Sequence, residues 1–352
     1  MKNKKHLLIT GGAGFIGVNS ADHFLSRGWR ITVLDNFSRK GSKDHLAWLS
    51  KKWGKKITSV RADVSYDTAI LAREAPRADA VLHLAGQVAV TTSVADPMRD
   101  FRENALGALN VLEAIRQSPG QPPLIYASTN KVYGEMADLG IRRTRDGWRY
   151  RIGVSGISEH RSLDFHSPYG CSKGSADQYV RDYARIYGLK TVVFRQSCIF
   201  GPHQFGMEDQ GWIAWFAIAA LSGRPITVYG DGYQTRDVLE VSDLCRLYET
   251  AFLKIEKVKG KIYNIGGGPT RAVSVRTALA VLGKTLGHPI PHTFGDWRPG
   301  DQKVYISDIR AVARDLAWRP VVSFSEGMKR MVAWIKEEMP RIRRNNGRGY
   351  EN

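Results

Sequence analysis

The chain is expected to fold as an α/β protein, a Rossmann-like doubly wound parallel sheet with a smaller mixed α/β substrate-binding lobe. Three observations predict this. Short β-branched runs alternate with amphipathic stretches through the first half, a glycine triplet stands where the first strand meets the first helix, and the regular rhythm loosens after Ser197.

Taken in order, His6–Thr10, Arg30–Asp35, Lys56–Val64, Ala80–Gly86, Pro123–Thr129 and Lys190–Ser197 read as six successive strands. Between them, Phe15–Arg27, Met98–Gln117 and Tyr169–Tyr187 carry apolar residues at helical spacing. Mixed short strands follow at Pro225–Gly230, Lys261–Gly267 and Lys303–Asp308, with helices at Trp212–Ser222, Ser274–Leu286 and Ser325–Glu338. The expected organisation is a cofactor domain over 1–197 that takes later sheet strands from 225–267. A mainly substrate-binding lobe over 198–340 and a basic flexible tail over 341–352 complete it.

Composition narrows the function classes. Hydrophobic residues at 43% and charged residues at 24% match an ordinary globular enzyme. The longest strongly apolar run, Trp212–Leu221, is about half of the roughly 20 residues that a spanning helix needs, so no membrane is expected. The opening residues read as a first strand rather than a signal peptide, and a cytoplasmic setting follows. Cys171, Cys198 and Cys245 lack C-x-x-C spacing, which argues against disulfides and a zinc site, so no metal is expected. The formal charge of +18 suits either an anionic small substrate or nucleic acid. Its clusters at 51–56, 142–151 and 341–348 lie far apart, with no nucleic-acid-binding motif, which favours the small substrate.

The glycines of Gly11, Gly14 and Gly17 form a G-x-x-G-x-x-G turn. Gly11 permits the turn, Gly14 lets the backbone approach a pyrophosphate, and Gly17 lets the helix lie close. Exposed amides at the helix start, around Phe15 and Ile16, are expected to bind phosphates. Asp35 ends the second strand near the roughly 20-residue offset at which a carboxylate meets ribose hydroxyls. It would repel a 2'-phosphate, so NAD is favoured over NADP despite Arg39 and Lys40 nearby. Asn36 and Ser38 follow it in the candidate set, with Asn104. Asp63 and Val64 are assigned to the adenine side, and Leu84, Ala85 and Gly86 to the ribose and nicotinamide side.

The segment Ser167-Pro168-Tyr169 opens a helix, with Ser167 as cap and Pro168 at the first helical position. A four-residue step puts Tyr169 and Lys173 on one face. The ammonium is expected to lower the phenol's pKa, so that Tyr169 works as a base. Thr129, at the end of the fifth strand, is the third candidate, with Ser128 in competition.

At these motifs the chain resembles the extended short-chain dehydrogenase/reductase family over nearly its whole length. It is similar, more narrowly, to the CDP-tyvelose (CDP-paratose) 2-epimerases at 128–134, 163–174 and Asp209-Gln210-Gly211-Trp212. The resemblance implies a tightly held NAD and a CDP-linked hexose epimerised at C2, with CDP-glucose also open. It implies Arg236 and Arg298 as diphosphate ligands, and Asn130, Cys198, Gln204, Asp301 and Tyr305 on the substrate side, Gln204 and Tyr305 having packing as an equal alternative. Similar 4,6-dehydratases carry Asp-Glu after the catalytic Thr, where this chain has Asn130-Lys131, and that pair cannot eliminate water in the same way.

Tyr169 is expected to take the proton of the C2 hydroxyl as hydride leaves that carbon for NAD, with Lys173 and Thr129 assisting and a 2-keto sugar formed. A nucleotide-sugar 4-epimerase or a reductase stands as the alternative, and a non-catalytic NAD-binding scaffold with nucleic-acid affinity as the distant one. A homo-oligomer is expected, because the stripe Gly170, Gly174, Tyr179, Val180, Tyr183 suits a partner subunit as well as the core.

Overall fold

In the computed structural model, which describes residues 4–151, 153–297 and 302–346, a seven-stranded sheet forms the centre. From one edge its strands are Ile262–Ile265, Thr191–Gln196, Leu124–Thr129, Ala80–His83, His6–Thr10, Arg30–Asp35 and Ile57–Arg61. All six pairings are parallel. Numbered in chain order, this is 7-6-5-4-1-2-3, so the direction of winding reverses between His6–Thr10 and Ala80–His83. A crevice opens at that point beyond the strands' carboxyl ends.

The inner strands are buried on both faces, Ala80–His83 completely, which is why they read as continuous apolar runs. One core layer joins Phe24, Leu49 and Leu244 to the sheet, and the opposite layer joins Val111, Ala176 and Val180 to it. Ile57–Arg61 is half exposed, as an edge strand is, and it ends before Val64.

Several elements differ from expectation. Met98–Gln117 is not one helix: Pro97–Phe101 passes through a π turn, Arg102–Leu106, into Gly107–Arg116. Thr227–Tyr229 pairs with Thr293–Gly295 instead of joining the main sheet. Val304–Tyr305, expected as a strand outside the main sheet, does pair with Thr235–Glu240, in a separate four-stranded sheet with Cys198–Phe200 and Ala272–Ser274. The basic segment 142–151 makes a hairpin, Ile141–Thr144 with Gly147–Tyr150, docked on that sheet through the bond from Trp148 N to Tyr233 O. The last helix, Phe324–Asn346, runs through Pro340 into the region expected to be a flexible tail. Its apolar stripe explains this, since Met331, Ile335 and Ile342 are all buried and their packing outweighs the interior proline.

Among the described residues, no helix is long and apolar enough to cross a membrane. None of their His, Cys, Asp and Glu side chains gather in a group of three or more that could hold a metal.

Candidate active site

The glycine turn is built as its spacing requires. Gly11 has φ +68°, and a Cβ there would lie 2.6 Å from Ala85 N. A Cβ on Gly17 would lie 2.4 Å from Gly11 O, so the helix is seated on the turn's own backbone. Gly14 caps the helix Phe15–Ser26, whose first turn has no acidic residue and no capping side chain, so its positive end faces the crevice. Phe15 and Ile16 pack their side chains on the core and leave backbone amides at that end.

Asp35 ties the second strand to this turn. Its Oδ2 accepts from Ala13 N at 3.0 Å and its Oδ1 from Phe37 N at 2.8 Å. Burial raises its pKa above the usual carboxylate range. Asn36 donates to Asp63 Oδ2 at 2.7 Å and accepts from Ser38 N at 3.0 Å. Burial acts to raise Asp63, but bonds from Asn36 and Ser65 outweigh it and hold the carboxyl low. Val64 turns its side chain into the core. Leu84 and Ala85 sit under Gly11, and Gly86, φ +153°, has no room for a Cβ because Asn104 Oδ1 would stand 2.4 Å away.

Asn104 lies in the π turn, a feature common at functional sites. Its Nδ2 donates to Asp100 Oδ1 at 3.1 Å and to Ser172 Oγ at 3.0 Å, while its buried Oδ1 has no protein partner. A glycine cradle closed to side chains, a helix start and an orphaned buried acceptor together fit a bound dinucleotide.

Beside this cradle, Tyr169 and Lys173 stand one turn apart on the helix Ser167–Ile186. Pro168 lies in its first turn, and Ser167 Oγ accepts from Gly170 N at 3.3 Å. The Thr129 hydroxyl stands near the phenol of Tyr169 and favours its ionised form. Lys173 Nζ donates to Ala127 O at 2.6 Å and lies 4.3 Å from the centre of the Tyr126 ring.

The electrostatics correct one expectation. Burial pushes Tyr169 up to about 12, against the pull of the Thr129 hydroxyl and the Arg39 guanidinium. Lys173 does not lower it. Burial instead brings Lys173 itself down to about 7, although Asp177 and Asp100 favour its charge. An ammonium that is costly to keep charged is a weak lever on a neighbouring phenol.

Neighbours that the motifs do not reveal complete this floor. Ser128 turns away to donate to Asp177 Oδ2 at 2.7 Å, which Arg195 holds through Nε at 2.9 Å and Nη2 at 2.8 Å. Asp100 accepts from Ser172 Oγ at 2.5 Å. His83, stacked on Tyr126, is held neutral by burial and by Lys173. Asp177 and Arg195 leave little local signal: only their burial in one core makes them partners.

On the substrate side, Asn130 accepts from Thr129 Oγ1 at 3.4 Å, and Lys131 donates to Gln302 Oε1 at 3.5 Å. Cys198 faces Val238 in register, two residues from Arg236. Burial pushes its thiol up to about 11 despite that guanidinium. Arg236 donates to Thr235 O at 2.9 Å. Gln204 Nε2 donates to Ile199 O at 3.3 Å, and its buried Oε1 has no protein partner. Tyr305, expected either at the substrate or in packing, is 0% exposed and stacks on Tyr133 with ring centres 6.5 Å apart, and its buried phenol oxygen has no hydrogen-bond partner among the described residues. Arg298 and Asp301 lie outside the described residues.

Comparison with known proteins adds to this geometry. Residues 7–266 match the profile of the NAD dependent epimerase/dehydratase family. The chain is similar to a CDP-paratose 2-epimerase of Salmonella typhi, 42% identical over 336 residues, covering 93% of this chain and 98% of that protein. The Thermus thermophilus UDP-glucose 4-epimerase, solved in complex with NAD, superposes with a TM-score of 0.80 at 31% identity, covering 94% of this chain and 99% of that one. A dTDP-glucose 4,6-dehydratase from Streptomyces venezuelae, solved with NAD bound, gives 0.81 at 28% identity, covering 95% and 98%.

Proposed function

The chain belongs to the NAD dependent epimerase/dehydratase family, and from that premise we propose that it inverts C2 of a CDP-linked hexose through a transient 2-keto sugar. The observation that carries this reading is the 42% identity, spread over 93% of the chain, to a CDP-paratose 2-epimerase. Bound NAD supplies the hydride acceptor and donor. Because each cycle restores it, it need not leave.

The chain's own residues have separable tasks. Tyr169 accepts the proton of the C2 hydroxyl and later returns it, while the nearby Thr129 hydroxyl orients the sugar oxygen. Lys173 is held between Ala127 O and the Tyr126 ring, one helical turn from Tyr169, where its N–H donors would hold the cofactor ribose. Arg236 suits the diphosphate, and a second ligand would be Arg298. Direct removal of the C2 proton is disfavoured, since no neighbouring carbonyl would stabilise the carbanion; transient oxidation avoids that barrier.

The dehydratase alternative lacks its acid pair, because Asn130 and Lys131 stand in those positions. The test is incubation with CDP-glucose and CDP-paratose without added NAD, followed by NMR. Inversion at C2 is expected. Inversion at C4, or loss of water, would overturn the assignment.

A homo-oligomer also forms part of this proposal. Met98, Phe101, Tyr179 and Ile186 are exposed on two helical segments that pack together, a face that a second copy would cover. Sedimentation velocity showing only monomer at micromolar concentration would refute it.

A further inference from the structure

A cavity of about 170 Å3 is lined by Val90, Lys131, Gly134, Glu135, His166, Ser167 and Gln302, on the chain segments that carry Thr129 and Tyr169. Its position follows from the chain: Lys131 stands two residues beyond Thr129, and Ser167 two residues before Tyr169. It is smaller than the roughly 300–1,000 Å3 of sites that enclose whole ligands, so it suits one edge of a sugar ring rather than a nucleotide.

The cavity is built, not incidental. Gln302 is buried and donates through Nε2 to Gly134 O, which fixes the amide and leaves Oε1 as its acceptor. Lys131 Nζ donates to that oxygen at 3.5 Å, the outer limit of a hydrogen bond. On the other side, His166 Nε2 and Glu135 Oε1 stand 3.5 Å apart. An ammonium and a buried amide therefore line one cavity, with Val90 as its aliphatic part, two residues along the chain from Thr129 and Tyr169.

Given the nucleotide-sugar reading on which it rests, we infer that Lys131 and Gln302 form a clamp for a sugar hydroxyl on the ring edge beyond C2, and so decide which carbon meets Tyr169. Lys131 carries three N–H donors on a flexible stem, so its head can follow the hydroxyl when the keto-sugar turns over between the two hydride transfers. Gln302, locked to the backbone, gives that motion a fixed point. Both act as positioning residues.

The experiment compares binding of CDP with binding of CDP-glucose, by calorimetry, in NAD-loaded wild type, Lys131→Met, Lys131→Arg and Gln302→Ala. Retained NAD shows that each variant is folded. Loss of a charged hydrogen bond predicts roughly 10- to 100-fold weaker CDP-glucose binding in Lys131→Met, with CDP affinity unchanged within about two-fold. Gln302→Ala should move in the same direction and Lys131→Arg should recover part of the loss. The product mixture of Lys131→Met should also lose its preference for C2 over other positions. Equal weakening toward CDP and CDP-glucose, or no weakening toward either, would overturn the clamp. A wild-type enzyme that binds CDP-glucose yet never inverts C2 would instead count against the functional reading alone.

Discussion

The Ser128 hydroxyl lies 2.7 Å from Asp177 Oδ2, committed to a buried ion pair, while its neighbour Thr129 meets the phenol of Tyr169. Adjacent residues on a strand point to opposite faces, so one hydroxyl serves the core and the other the crevice.

Ser128→Ala is therefore expected to cost about 1–3 kcal/mol of stability, as a bond to a buried carboxylate is lost, and to leave kcat within a few-fold. Thr129→Val should do the reverse, lowering kcat with little change in melting temperature. Denaturant titration and steady-state kinetics on the two variants check the assignment.

Tyr169→Phe should retain NAD and nucleotide-sugar while kcat falls roughly 10²- to 10⁴-fold, the usual contribution of a positioned acid or base. Burial raises the phenol to about 12, so the proton-accepting form grows as pH rises. Wild-type kcat/KM should climb with pH through the neutral range, and a flat profile would argue against Tyr169 as the base.

Lys173 titrates near 7 in the folded chain because it is buried, against 10.5 for an ordinary lysine. Between those values the unfolded chain binds the extra proton, so stability rises with pH from about 7 to about 10.5 and is lost as pH falls through that window. Lys173→Met removes the cost of burying the charge. Its melting temperature at pH 7 should exceed that of wild type by a few degrees, with the gap closing toward pH 10, although epimerisation is lost. A lower melting temperature at pH 7 would mean that the contacts to Ala127 and Tyr126 outweigh desolvation.

Gly11→Ala forces a Cβ to within 2.6 Å of Ala85 N at a residue with φ +68°. The turn must shift, and purified protein should come away with little NAD, read from absorbance of the denatured supernatant. Gly28→Ala, also at positive φ but with open space around its Cβ, controls for backbone strain alone.

The sequence by itself determined the first sheet strands, the glycine turn with Asp35, and the Tyr169–Lys173 step. Each is a local pattern: β-branched runs, residues without a Cβ, and a four-residue helical spacing. It misplaced Thr227–Tyr229 and read one helix where a π turn intervenes, because strand partners and helix irregularities are chosen by packing between distant segments. Only the tertiary structure turned Ser128 to Asp177, joined Asp177 to Arg195, buried Tyr305, and set Lys131 against Gln302, 171 residues away. It also reversed the electrostatic expectation at Tyr169, since the charge that a side chain can keep depends on how much water the fold removes from around it.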